Sequence, residues 1–271
     1  MSNRATTLSR RAALALPALL LARPAAALIL PERVSQGSLV TGRADPGTRV
    51  TFEGRNLRVS PDGLFVFGLK RDAEPQATLT ITAPNGHREE RRITVTPREW
   101  DIQRLEGLPG RMVTPDAEAL ARIRAEQERL NAARRTNTAT PHFAEGLEWP
   151  TRGRISGVYG SQRILNGQPR APHLGLDVAV PTGTPLAAAA TGRVTLAGDL
   201  YFTGNTLLIE HGHGVTTLYA HMSRLDVREG EAVSRGQVIG ASGATGRVTG
   251  PHLHLALFWL ATPVDPRPLL P

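Results

Sequence analysis

Four histidines and one aspartate occupy three short segments in the C-terminal half of this 271-residue chain. The segments are "HLGLD" (His173, Asp177), "LYAHMS" (His221) and "GPHLHLAL" (His252, His254). The chain has no cysteine, so a tightly bound transition metal would have to be held by imidazole and carboxylate. Such donors suit a catalytic zinc, with three protein ligands and one position open for water. Five donors exceed that need, so the set supplies both metal ligands and spare bases.

Spacing supports a shared face. His252 and His254 are two apart in a β-prone run, where residues i and i+2 point the same way. Both imidazoles then emerge together, with Leu253 and Leu255 turned to the core. By the same alternation His173, Gly175 and Asp177 share a face, Gly175 leaving space for a metal or substrate, and Leu174, Leu176 and Val178 fill the other side. A single histidine in such a run is more often a hydrogen-bonded structural residue than a ligand. H-x-x-x-D and H-x-H together, with a further histidine between them, reverse that preference.

The elements that must position these residues read as β. From Trp149 onward, "HLGLDVAV", "GRVTLAG", "NTLLIEHG", "VTTLYAHM", "QVIGASG" and "HLHLALFWL" are short apolar runs divided by Gly- and Pro-containing turns. No long amphipathic helix interrupts them, which predicts a compact antiparallel sheet rather than a doubly wound α/β fold. Residues 28–98 read as a small β-sandwich: "RVTFEG", "LFVFGL", "ATLTITA" and "RRITVTP" alternate with turns at Asp45-Pro46-Gly47, Pro61-Asp62-Gly63 and Pro84-Asn85-Gly86. Its lone His87 reads as a solvated turn residue. Residues 99–148 read as a linker with a helix over about 115–135. There Thr114 is the expected N-cap and Pro115 the first helical residue. Leu120, Ile123 and Leu130 form a broken apolar stripe, and Glu118–Arg122 and Arg122–Glu126 are i,i+4 pairs. The fold class expected is therefore mainly β, a sheet domain over 149–271 preceded by a small β domain and a linking helix.

"HLGLD", "YAHMS" and "GPHLHL" resemble the three motifs of the M23 (LytM/lysostaphin-type) zinc peptidases. "GRISGVYGSQR", "PTGTPLAAAATGRVTLAG", "GNTLLIEHGHGVTTLYAHMS", "GEAVSRGQVIGASGATGRVTGPHLHL" and "PVDP" agree in order and spacing. The resemblance covers about 149–266, nearly half the chain, and leaves the N-terminal β segment outside it. It implies one zinc ion held by His173, Asp177 and His254, with His221 and His252 as an unliganded catalytic pair. In that scheme the metal lowers the pKa of water to about 7 and polarises the scissile carbonyl. One neutral imidazole accepts a proton and later passes one to the departing amine, while the other bonds the developing oxyanion. Which of His221 and His252 takes which role is open. The implied substrates are the peptide cross-links of bacterial peptidoglycan.

"RILNGQPRAP", just before His173, reads as a polar substrate-facing loop, with Arg163 and Asn166 as candidate substrate contacts beside the reading of both as solvated loop residues. The second H-x-H, His211 and His213 in "EHGHG", lies at a Gly-flanked turn; the resemblance implies a hairpin away from the metal, and both residues read as surface. The glycines of "GASGATGRVTG" lack the lysine and following helix of a phosphate loop, and read as close backbone packing around a groove.

The first 27 residues carry four arginines and no acid. Arg10 and Arg11 precede an apolar run, Ala12 to Ala22, and small residues Ala25 and Ala27 are placed for cleavage. That run is too short to span a bilayer, which takes about 20 residues. "LSRRAAL" resembles a twin-arginine motif but has Ala13 where phenylalanine is usual, so twin-arginine and general secretion both fit. An uncleaved amphipathic helix is the other reading. Export to the periplasm or cell wall is expected, with no membrane span after cleavage. Without cysteine, neither a disulfide framework nor a lipoprotein anchor is expected.

The formal charge is +8, half of it from those first residues. Dispersed basic residues and few aromatics argue against nucleic acid as a partner. The expected partners are peptidoglycan stem peptides, together with wall or wall machinery through the N-terminal domain. Two functions of different class remain. One is an exported zinc endopeptidase. The other is a non-catalytic M23-like module that binds the wall or regulates other hydrolases. Five filled motif positions favour the enzyme.

Overall fold

The computed structural model describes residues 28–107, 110 and 114–271; the export segment lies outside them. The protein is mainly β, with one long helix among the described residues. No described helix is long and apolar enough to cross a membrane.

The N-terminal part is built from two sheets. One has three strands, in the order Leu28–Ile29, Leu39–Ala44, Leu64–Gly68. The other has five, in the order Arg33–Ser35, Arg88–Thr96, Gln76–Thr82, Arg49–Phe52, Arg55–Asn56. Alternating residues turn inward, as in Gln76–Thr82, where Ala77, Leu79 and Ile81 are buried between exposed or half-buried neighbours. Gly47, Gly63 and Gly86 take φ of 79°, 87° and 85° in the three expected turns. Strand Leu64–Gly68 departs from this alternation and is buried throughout. Its Gly68 faces Trp259 and Val264 of the C-terminal sheet, and Phe52 meets the Trp259 ring edge-on at 6.1 Å. One apolar cluster consequently runs through both parts, from Phe65 and Leu79 to Tyr219 and Leu257.

The C-terminal sheet has eight strands. Its order is Arg154–Gly157, Leu176–Ala179, Leu253–Trp259, Val215–Met222, Gly204–Glu210, Gly192–Leu200 and Ala232–Val233, with Thr262–Val264 added beside Leu253–Trp259. Every pairing in it is antiparallel, as the turn-divided runs predict. Strand Val215–Met222 is buried along its whole length, because both faces of the sheet are covered. Tyr219 belongs to the large core. Leu218 and Ala220 join Leu196, Leu208 and Ala256 under the helix, against Ala133 and Leu130.

That helix spans Ala117–Arg134, two residues later at its start than the sequence suggests. Asp116, not Thr114, is the cap: its carboxylate accepts the Ala119 N–H at 2.8 Å, and an anion there also meets the positive end of the helix dipole. Arg122 pairs with Glu126 at 2.6 Å as expected, and also with Asp199 on the sheet at 2.9 Å. Arg134 lies over the Phe258 ring at 3.9 Å.

Two segments read as linker and loop form a small sheet of their own. Gln162–Leu165 and Gln168–Pro169 are a hairpin, turned by Asn166 (φ 46°) and Gly167 (φ 75°), an Asn-Gly pair that accepts positive φ at both positions. Residues Ile102–Leu105, within the linker, pair in parallel with Gln162–Leu165. Parallel pairing joins segments far apart in sequence, so neither run announces it locally.

Candidate metal centre and catalytic cleft

Asp177 and His254 are directly opposed across neighbouring strands, and Ala220 is opposed to His254 on its other side. The register therefore places Asp177, His254 and the start of the His221 turn in one row across the sheet. His173 reaches the row differently. It precedes the strand that carries Asp177 and is held by its backbone, its N–H donating to Ser161 O at 2.8 Å and its carbonyl accepting from Gly160 N at 2.7 Å. Strand alternation places Asp177 but not His173, which is a loop residue turned inward and 1% exposed.

Three donor atoms converge. His173 Nε2 lies 3.0 Å from Asp177 Oδ1, His254 Nδ1 lies 2.8 Å from the same oxygen, and the two ring nitrogens are 3.0 Å apart. This is the group among the described residues whose His and Asp donors cluster tightly enough to hold a metal ion. The triangle fits zinc: bonds of about 2.0–2.1 Å in a tetrahedron place donor atoms roughly 3.3 Å apart. Two imidazoles and one carboxylate also match its preference among ligands.

Room for the triangle comes from two glycines. A Cβ on Gly157 would lie 2.4 Å from Asp177 Oδ2, and one on Gly175 would lie 2.6 Å from the His254 ring. Gly175 thus makes space for a candidate ligand, His254, rather than for a metal or substrate directly.

Backbone carbonyls set the histidine tautomers. His173 Nδ1 faces Val158 O at 3.1 Å, His221 Nδ1 faces Thr245 O at 2.8 Å, and His252 Nδ1 faces Gly250 O at 2.8 Å. A carbonyl only accepts, so each Nδ1 carries the proton and each Nε2 presents a lone pair. Burial pushes the His173 imidazole down to about 4 despite the nearby Asp177 carboxylate. Burial likewise holds His221 down at about 3, helped by repulsion from His254 and His252. Both are neutral at physiological pH. Burial alone would raise the Asp177 carboxyl, but its close contacts with His173 and His254 prevail and hold it well below the usual carboxylate range.

His221 and His252 face each other with ring centroids 4.8 Å apart, and His252 Nε2 stands 3.8 Å from Asp177 Oδ1. His221 has a φ of 62°, a conformation uncommon outside glycine. One residue before the end of its strand, its N–H donates to Thr203 O at 2.8 Å, and its ring turns toward His252 and His254.

The same residues open on a cleft of about 110 Å³, lined by Asp177, His221, His252, Arg163, Gln103 and Arg247 among others. Arg163 donates from Nη2 to Asp177 Oδ2 at 3.2 Å and from Nε to Gln103 Oε1 at 3.2 Å. It thus holds the carboxylate oxygen turned away from the two histidines. Asn166 occupies the hairpin turn and is not among the cleft-lining residues. The sequence reading overlooked Gln103, because its strand is marked only by the short run "DIQRL". Arg247 was hidden in a glycine-rich stretch read for its backbone alone.

The second H-x-H is not at the surface. His211 and His213 are 0% and 2% exposed. His211 bonds Thr191 O at 2.8 Å and Thr217 Oγ1 at 2.7 Å, and His213 Nε2 bonds Ala139 O at 3.0 Å. The segment 138–143 folds over this turn, with His213 N donating to Thr138 O and Phe143 N to His211 O. Long-range cover of this kind leaves no mark in the local pattern. The pair is distant from the metal row as expected, since Val215 is opposed to Trp259 at the far end of the strands.

Resemblance to known proteins extends from the sequence to the fold. The sequence profile of Peptidase family M23 matches residues 171–266. A crystal structure of an M23 peptidase candidate from Pseudomonas aeruginosa superposes with a TM-score of 0.65 at 31% identity, covering 86% of this chain and 92% of that one. The peptidoglycan DD-endopeptidase ShyA of Vibrio cholerae is 43% identical over 116 residues, 42% of this chain and 27% of that protein. The DD-carboxypeptidase/endopeptidase Mpg of Neisseria meningitidis is 48% identical over 94 residues, 35% of this chain and 22% of that protein. The matches to these two relatives thus span about a quarter of their length. The likeness to the Pseudomonas structure, by contrast, takes in both β parts. The chain belongs to peptidase family M23.

Proposed function

We propose that the protein is an exported zinc endopeptidase that hydrolyses peptide cross-links of peptidoglycan in the periplasm or cell wall. The observation that carries this reading is the triangle of His173 Nε2, Asp177 Oδ1 and His254 Nδ1, flanked by two histidines whose Nε2 lone pairs are spare. Relatives named as DD-endopeptidases supply the substrate class.

His173, Asp177 and His254 would hold the ion. Zinc with three protein ligands and an open position lowers the pKa of water to about 7 and polarises a carbonyl. The remaining steps belong to the side chains. His221, neutral and fixed by Thr245 O, accepts a proton at Nε2 and returns one to the leaving amine. His252, fixed by Gly250 O, lies across from it and donates to the oxyanion when protonated at Nε2. The two rings face the same space, so the roles exchange if the substrate binds in the opposite sense. Arg163 orients the Asp177 carboxylate from behind, a positioning role that leaves one oxygen for the ion. The β part over 28–98 would contact the wall or a partner in the wall machinery.

The test is digestion of purified sacculi by the zinc-loaded chain, with new amine groups counted and muropeptide products identified by mass. Release of amines that is lost in His221→Ala and His252→Ala supports the enzyme. Wall binding without any release, at saturating zinc, would favour a non-catalytic M23-like module instead.

A further inference from the structure

Beside its histidines the cleft carries two guanidinium groups, and they are held in different ways. Arg163 is committed to Asp177 and Gln103. Arg247 stands on the loop joining strands Val238–Ala241 and Leu253–Trp259, the loop whose Thr245 carbonyl fixes His221. Its guanidinium lies 4.3 Å over the Phe202 ring, and its backbone N–H donates to Phe202 O at 2.8 Å. The residue is therefore held by its backbone and by the stacking of its head on Phe202, while it lines the cleft together with His221 and His252. Burial pushes it down to about 10, and Arg163 and Arg170 add repulsion. It stays cationic at neutral pH, in surroundings that an entering anion would relieve.

Peptide chemistry limits which anion can reach this place. On the acyl side of a scissile bond the carboxyl is consumed in the amide itself. The leaving residue keeps a free carboxylate on the α-carbon next to the scissile nitrogen, about 2.5 Å from that nitrogen, whenever it is terminal or is linked through a side-chain amine. Building on the peptidase reading above, we propose that Arg247, with Arg163 behind it, recognises a free carboxylate on the leaving residue and so determines specificity. Guanidinium suits the task because its fork matches a carboxylate at two points. The substrates selected are peptide cross-links whose leaving residue is acidic at its own α-carbon; amidation at that position would remove the handle.

Two cross-linked peptide dimers test this, identical except that the leaving residue bears a free carboxylate in one and a carboxamide in the other. For the zinc-loaded full chain, kcat/KM should favour the carboxylate by about tenfold or more, the range of a charge-assisted hydrogen bond. In Arg247→Gln the ratio should fall close to one, and in Arg247→Lys it should be intermediate. A ratio does not depend on the fraction of folded enzyme, so poor folding cannot imitate the result. Binding gives a readout without turnover. The cleaved product with its carboxylate should bind about tenfold more tightly than its carboxamide, and Arg247→Gln should abolish the difference. Equal cleavage of both dimers by the wild type, or an unchanged ratio in Arg247→Gln, overturns the inference and leaves the peptidase reading standing. Failure to cleave either dimer overturns both.

Discussion

The chain contains H-x-H twice, at 211–213 and at 252–254, and the two pairs have opposite fates. At the first, both His211 nitrogens are occupied by Thr191 O and Thr217 Oγ1, and His213 Nε2 by Ala139 O. At the second, one nitrogen of His252 is occupied by Gly250 O, and His254 Nδ1 points at Asp177 and His173. The pattern alone does not separate a clamp from a candidate catalytic site. What separates them is where the ring nitrogens turn: into the chain's own backbone and hydroxyls, as both do in His211, or toward a shared point with other donors.

Removing His221 should have the largest effect. Loss of a general base costs roughly 10²–10⁴-fold in rate, so His221→Ala should lose that much kcat on cross-linked peptides while keeping its zinc. Retained activity would remove His221 from the mechanism. His211→Ala should do the reverse. Stranding Thr191 O in the core, and leaving Thr217 Oγ1 only its bond to the Tyr219 hydroxyl, should cost about 2–4 kcal/mol of stability, seen as a lowered Tm, with zinc content unchanged. An unaltered Tm would mean that the clamp contributes nothing.

The clamp also carries a pH signature. Burial holds the His211 imidazole down at about 4 from its ordinary 6.5. Between those values the unfolded chain binds a proton that the folded chain refuses, so stability falls as pH drops from about 6.5 to 4, by up to about 3 kcal/mol. Denaturant titrations of wild type and His211→Gln should diverge in slope across this window, and parallel curves would contradict it. The smallest effect belongs to a site outside both pairs. Arg122→Ala, which removes half-exposed contacts to Glu126 and Asp199, should cost less than about 1 kcal/mol. A larger loss would show that the helix is tied to the sheet more by charge than by its apolar face.

Much of this molecule was legible where the signal is local. Alternation marked the strands around Leu79 and Leu255, Pro-Asp-Gly and Pro-Asn-Gly marked turns, and motif spacing named five residues, His173, Asp177, His221, His252 and His254, that the fold brings together. What was not legible depends on long-range cover. His211 read as surface because segment 138–143, which buries it, is some 70 residues away in sequence. The parallel strand Ile102–Leu105 read as linker because its partner, Gln162–Leu165, sits beyond the helix. Alternation also misplaced His173 on a strand, since a loop held by Ser161 and Gly160 brings its ring inward instead.

The most direct test of the account is metal content across the two pairs. Purified wild type and His213→Ala should each bind close to one zinc per chain, and His254→Ala should bind almost none. Full zinc in His254→Ala, or loss of zinc in a folded His213→Ala, would contradict the division between catalytic site and clamp.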